Sequence, residues 1–247
     1  MPEEIGSVTI YACRILHDGS FLIIDHEQQR LLLFSNEGIF LRIVVTFEGN
    51  PYDLCIVRNN TVAISFQTST KSALVDIEKN KIIKTIELSH ICEGVTSDGQ
   101  ILVISTTGTL DKKCTIVNLK DLSQKLLEGV EGNCILLFKE NIYCTHVTKH
   151  TVSCYKRTGE PLWTFLHNHI SFPSGLALDI NGFIYVAFLG NNKIVVVSPD
   201  GKTSKTLLSK PDGIINPNGI DINRDTRMMI VSSKMNDDRA NILVFKI

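Results

Sequence analysis

No apolar run in the 247 residues approaches the roughly 20 that a membrane helix needs; the longest, such as FLII and KIVVV, are strand-sized. A helical membrane span is excluded. The opening MPEEIGSV is acidic and lacks the apolar centre of a secretory signal, so export is not indicated and a cytoplasmic location is expected. Neither sign of charge is in excess: 25 Lys plus Arg stand against 26 Asp plus Glu, so no global field draws the chain to DNA, RNA or an anionic membrane. The seven cysteines form an odd set without a CxxC pair, and most lie inside apolar stretches. Reduced, buried thiols are expected rather than a disulfide framework or structural zinc. Helical periodicity, heptads, a nucleophile elbow and a phosphate-binding glycine loop are all missing.

What is present is apolar sequence, 43% against 21% charged, cut into short pieces by turn signals. Residues 173–202, PSGLALDINGFIYVAFLGNNKIVVVSPDGK, read as three strands separated by turns. Aligning the chain on the DING turn finds five relatives of this stretch, with equivalent turn positions at Gly19, Asn60, Gly99, Glu140, Gly182 and Thr226. Successive spacings are 41, 39, 41, 42 and 44, a fixed period sustained across the chain. About four short strands per period of this length is the signature of a propeller blade.

Strand chemistry supports that reading independently. A two-sheet sandwich wets one face of each sheet and should alternate apolar with polar residues. Here the second strands read FLII, ILVI, FIYV and MMIV, and third strands such as LLLF and IVVV are equally continuous, as expected of sheets covered on both faces. The presumed outer strands, including KIIKTIEL and TSKTLL, carry more charge, which discourages pairing between molecules. The sequence therefore predicts an all-β, six-bladed β-propeller of four antiparallel strands per blade, forming one domain over residues 1–247. The sixth repeat stops after its third strand, and residues 5–10, IGSVTI, belong to no repeat. They are expected to supply the missing strand and close the ring.

Residues 173–202 also resemble the NHL repeat, through Pro173, Gly175, Leu176, Ala177, Asp179, Gly182, Ile184, Tyr185, Val186, Asn192, Lys193, Ile194 and Val196. The last repeat matches partly through Pro217, Gly219 and Ile220, and the other four are eroded. The whole is similar to the divergent C-terminal propellers of tripartite-motif proteins. That resemblance implies a domain recognising a protein or peptide partner for ubiquitin transfer. Cysteine and histidine are too few and wrongly spaced for a RING or B-box, so the recognition domain alone is expected.

In a propeller the ligand face is built from the loops between second and third strands and those leading into first strands. Here these are residues 25–30, 67–71, 106–113, 146–150, 188–192 and 232–239, with 47–52, 167–172 and 210–218 among the leading loops. Candidate contacts are His26, Arg30, Tyr52, Lys71, His90, His146, Lys149, His150, His169, Phe172, Phe188, Asn191, Asn192, Asn218, Lys234 and Arg239, with Phe47 also counted as an exposed aromatic. Aromatics beside a balanced polar rim suit a protein contact anchored by a few residues. Single-stranded RNA is the first alternative, but the basic residues are offset by Asp25, Glu27, Glu48, Glu131 and Asp212 among others, whereas phosphate binding needs net positive charge.

His146 and His150 flank a turn that would set them opposite each other near Cys144, yet two ligands do not make a zinc site. Glu93 and Asn218 resemble residues at the channel mouth of lactonase-like, metal-dependent hydrolases, the second alternative, although the other blades offer only Asp53, Asn133 and Ser174 in like positions. No catalytic residue, cofactor or metal is assigned.

Overall fold

The computed structural model of the chain describes residues 5–106, 114–166, 171–234 and 240–247. Blade one contains β1 (Ile10–Ile15), β2 (Phe21–Asp25), β3 (Arg30–Phe34) and β4 (Phe40–Thr46). Blade two follows with β5 (Pro51–Arg58), β6 (Thr61–Phe66), β7 (Lys71–Asp76) and β8 (Lys81–Glu87). Blade three is β9 (Val95–Ser97), β10 (Ile101–Ser105), β11 (Cys114–Asn118) and β12 (Gln124–Leu127); blade four is β13 (Cys134–Phe138), β14 (Asn141–His146), β15 (Thr151–Lys156) and β16 (Pro161–Leu166). Blade five holds β17 (Pro173–Leu178), β18 (Ile184–Phe188), β19 (Lys193–Val197) and β20 (Ser204–Leu208), and blade six β21 (Ile220–Asn223), β22 (Met228–Lys234) and β23 (Ala240–Lys246). Each sheet is an antiparallel meander in chain order, so the fold is an all-β, six-bladed propeller.

Continuous apolar strands are explained by what lies on either side of them. The buried residues form six layers, one between each pair of neighbouring blades. Leu22, Ile23, Ile24, Leu31 and Leu32 of β2 and β3, for example, are each fully buried, with alternate residues in the layers on opposite sides of blade one. In five blades the repeated turn takes a left-handed residue: Gly19, Gly99 and Gly182 supply it, and in two repeats that drop the glycine Lys139 and Arg227 take the positive φ instead. At the axis the inner strands approach too closely for a side chain. A Cβ on Gly175 of the PSG sequence would collide with the Asn218 carbonyl, and one on Gly219 of PNG would lie 3.1 Å from the Cys13 nitrogen.

Residues 5–10 do not complete blade six, contrary to the sequence expectation. Among the described residues the sixth sheet has three strands, and Ile10 opens β1 opposite Asp25. The cause is local polar capture by blade one. Asp25 is fully buried, pairs with Arg30 at 2.8 Å, and accepts the Thr9 N–H at 3.1 Å. Arg30 also donates to the Ile5 carbonyl, and the His26 N–H to that of Thr9. The segment still joins the two ends by packing, since Ile5, Val8 and Ile10 share a layer with Phe34, Ile230 and Ala240. One polar clasp adds to this seam: Asp221 of β21 accepts the Ile15 N–H of β1 at 2.8 Å.

Candidate ligand-binding face

Hydroxyls at the ends of three second strands tie blades two to five in succession and so set the geometry of that part of the axis. Ser65 donates to the Glu93 carbonyl, Ser105 to that of Gly132, and Thr145 to that of Ser174. The first residues of successive inner strands are thereby held side by side around the channel. Asn133 donates to Glu93 at 3.2 Å and Ser174 donates to Asn218. Deeper on the axis Arg14 and Asp53 form an ion pair at 3.1 Å, with side chains 14% and 4% exposed. Asp53 also accepts the N–H groups of Leu54 at 2.8 Å and Val95 at 3.1 Å, linking blades one, two and three. Burial pushes its carboxyl upward in pKa, against the pull of Arg14 and those N–H groups.

On the loop face an aromatic cluster stands beside the channel. Tyr11 stacks on His26 with ring centroids 4.0 Å apart, and Tyr52 meets Tyr11 edge-on at 5.5 Å. The His26 ring is fixed by its Nδ1 contact of 2.9 Å with the Pro51 carbonyl. Tyr11 also lines a cleft of about 500 Å³ over the seam between blades six and one. Ser7 and Thr9 from the segment before β1, Asn216 and Asn218 before β21, and Ser232 and Ser233 of β22 line it with uncharged hydrogen-bonding groups. Val8, Ile10, Leu189 and Ala240 supply apolar surface, and Glu27 is the one charged residue among the described residues that line it.

The structure thus brings His26, Tyr52 and Asn218 together, with Tyr11 as the member that sequence reasoning missed. The signal for Tyr11 was in the repeat, because it precedes Tyr52 by 41 residues, one period. Several other candidates serve the fold. Phe47, Phe188 and His90 are 5%, 2% and 2% exposed and do not present surface. Phe47 packs edge-on against Phe66, Phe188 fills the layer between blades four and five, and both His90 ring nitrogens contact oxygens, of Ile91 and Thr115. Their place next to loops suggests surface, but the packing layers extend to the ends of the strands.

Arg30 is committed to Asp25, and Lys149 forms an ion pair with Glu131. Asn191 accepts hydrogen bonds from the N–H and hydroxyl of Ser171, and Asn192 accepts the Asn216 N–H, so both brace neighbouring loops. His146 and His150 do not face each other. His146 lies 3.6 Å from Glu131, while His150 accepts the Phe172 N–H and meets that ring edge-on at 4.9 Å. Phe172 is 44% exposed and Lys71, at the start of β7, is also exposed. His169, Arg239 and the side chain of Lys234 lie outside the described residues, as do residues 107–113, 167–170 and 235–239 of the loops. Among the described residues no group of three His, Cys, Asp or Glu is placed to hold a metal, and no helix is long and apolar enough to cross a membrane.

No family model matches the chain, and no curated protein matches it. Solved structures do. A chain of a nidogen/laminin complex is similar with TM-score 0.76 and 10% identity, over 88% of this chain and 86% of that one. Kuenenia stuttgartiensis hydrazine synthase gives 0.74 and 9%, over 98% and 96%, and streptogramin B lyase 0.69 and 14%, over 98% and 84%. Identities this low show the shared propeller and nothing of a shared ligand or reaction.

Proposed function

We propose that the chain is a recognition module that takes an extended protein segment across the seam of blades six and one. The observation that carries this reading is the chemistry of the cleft: hydroxyl and amide groups suited to a peptide backbone, an aromatic wall at Tyr11 and, among the described residues that line it, one carboxylate, Glu27. A nucleic acid would need cations here, since phosphate contacts dominate its affinity. Arg30 and Lys149 are instead paired with carboxylates nearby. Glu27 is exposed at the cleft and favours a segment bearing a basic side chain. The NHL-like residues of 173–202 support the finer reading, that the partner is one recognised by a tripartite-motif type of ubiquitin ligase.

Panning a displayed random-peptide library on the immobilised protein tests the proposal. Enriched peptides should carry Lys or Arg, and Tyr11→Ala should weaken them about thirtyfold, the effect of losing an anchor worth about 2 kcal/mol. Glu27→Lys, an exposed change, should weaken them by a similar factor. If neither change matters, or if a single-stranded RNA binds instead with a steep loss between low and high salt, the reading is wrong.

A further inference from the structure

The axial channel has a second mouth, on the side opposite the loop face, where the turns between first and second strands gather. A cavity of about 420 Å³ opens there, within the size range of small-molecule sites. Five blades line it: the end of β1, β5 with the turn after it, β9, β13, and residues 221–225 of β21 and its turn. Arg14 stands deepest, its side chain 14% exposed and its charge already balanced by Asp53 at 3.1 Å. The charges open to a ligand lie nearer the rim.

The walls of this mouth differ in chemistry. Blade six supplies the charged one. Asp221 uses Oδ2 to accept the Ile15 N–H at 2.8 Å, and its other oxygen has no hydrogen-bond partner among the described residues. Asp225, in the turn after β21, is exposed, and its carboxylate is likewise unpartnered among them. Arg224 donates from Nε to the Leu178 carbonyl at 3.0 Å, and its guanidinium carbon lies 4.6 Å from the centre of the Phe138 ring. These contacts with blades five and four fix the guanidinium plane, and among the described residues no carboxylate forms an ion pair with it. Its two terminal nitrogens are left as a fork suited to a carboxylate. Across the channel the wall is apolar, built from Ile56 of β5 and Leu136 of β13, both half-buried, beside the buried Leu137.

We propose that this mouth binds a free α-amino acid with an apolar side chain. The Arg224 fork takes its carboxylate, Asp221 and Asp225 take its ammonium, and its side chain lies against Ile56 and Leu136. Simpler ligands fit worse. An anion would meet two carboxylates, a cation would meet the guanidinium, and a hydrocarbon would leave all three charges unanswered. A dipeptide carries its charges at opposite ends, whereas Arg224 and Asp225 are adjacent in the chain and Asp221 belongs to the same wall. Both charges of the ligand therefore belong on one carbon. This site lies at the other end of the channel from the loop-face cleft and does not depend on it.

The probes are leucine and phenylalanine, titrated into the protein while the methyl NMR signals of Ile56 and Leu136 are followed. Both signals should shift saturably, with a Kd of about 1 mM or tighter. N-acetylleucine lacks the ammonium and leucinamide the carboxylate, and each should bind about tenfold or more weaker than leucine. Arg224→Gln should weaken leucine about tenfold. Asp225→Asn changes an exposed side chain and should weaken it about threefold or more at an unchanged melting temperature. Glu27→Lys on the loop face should leave leucine binding unchanged, which separates this site from the cleft. The proposal is overturned if neither amino acid saturates the two methyl signals, or if N-acetylleucine or leucinamide binds as tightly as leucine. It is equally overturned if both variants bind leucine like the parent.

Discussion

The buried Arg14–Asp53 pair sets the largest stability change that one substitution on the axis should produce. At 3.1 Å and an effective dielectric constant of about 20, the gross attraction is on the order of 5 kcal/mol. Much of it offsets the desolvation of two ions, so the pair as a whole contributes little, whereas removing one partner leaves the other charge buried. Arg14→Met should therefore cost about 3–5 kcal/mol at pH 7. In a chain of this size each kcal/mol lowers the melting temperature by about 2–4 °C, giving a fall of at least about 6 °C. Asp53 keeps its bonds from the Leu54 and Val95 N–H groups in the variant, which holds the loss toward the lower end. The pH dependence has a definite sign. Burial already raises the Asp53 carboxyl, and loss of Arg14 raises it further. A folded-state acid raised above its unfolded value of 3.8 loses stability as pH climbs, so the deficit of Arg14→Met should shrink as pH falls toward 4. The double variant Arg14→Met with Asp53→Asn should be more stable than the sum of the single losses predicts. Calorimetry of the four proteins at several pH values provides the measurement. A single variant as stable as the parent, or a deficit that grows in acid, would refute the argument.

The clasp across the seam makes a smaller prediction: Asp221→Ala leaves the Ile15 N–H without its partner and should cost about 1–3 kcal/mol in urea unfolding. Burial lifts the thiols of Cys13, Cys92 and Cys114 from 9.0 to about 12, so they should resist a thiol reagent at pH 8 until the protein unfolds. Because those acids are raised on folding, stability should be full below pH 9 and fall between pH 9 and 12, by about 1.4 kcal/mol per thiol at pH 10, which thermal scans would detect. The pair Arg157–Asp98 joins blades four and three at 2.8 Å but is about 30% exposed on both sides, so Arg157→Ala should lower the melting temperature by no more than a few degrees.

The architecture was legible because blade stacking writes itself into each strand. A sheet covered on both faces demands FLII or IVVV without alternation, and the period of turns supplies the blade count. Closure was not legible, for a physical reason that one residue illustrates. Asp25 looks like an ordinary loop acid, yet it is fully buried and accepts the Thr9 N–H, diverting residues 5–9 onto blade one. Whether a carboxylate is captured inside or solvated outside is decided by partners distant in sequence. Loop position points to Tyr52, His26 and Asn218, which the structure sets near Tyr11, and the spacing of one period to Tyr52 marks Tyr11 itself. Phe188 and His90 were misread because position beside a turn says nothing of the neighbouring blade that covers it.

The seam is also where the ring's energetics and its surfaces meet. Each blade packs its apolar faces against its two neighbours, so stability is largely a sum of nearest-neighbour layers, and the ring fails first at the weakest. At five junctions the chain passes directly from one blade to the next. The junction of blades six and one has no connecting chain, relying on the packing of Ile5, Val8 and Ile10 and on the Asp221 clasp. The candidate cleft lies over this junction. A ligand that spans the cleft binds the closed ring and not the opened one, so it stabilises the fold in proportion to its affinity, by about 2.7 kcal/mol at a hundredfold excess over Kd. The same linkage makes seam variants weaken binding without touching the ligand. Asp221→Ala should therefore lower affinity at the cleft once warming populates the opened ring, and excess ligand should restore part of its lost melting temperature, whereas Arg157→Ala, remote from the seam, should leave affinity unchanged.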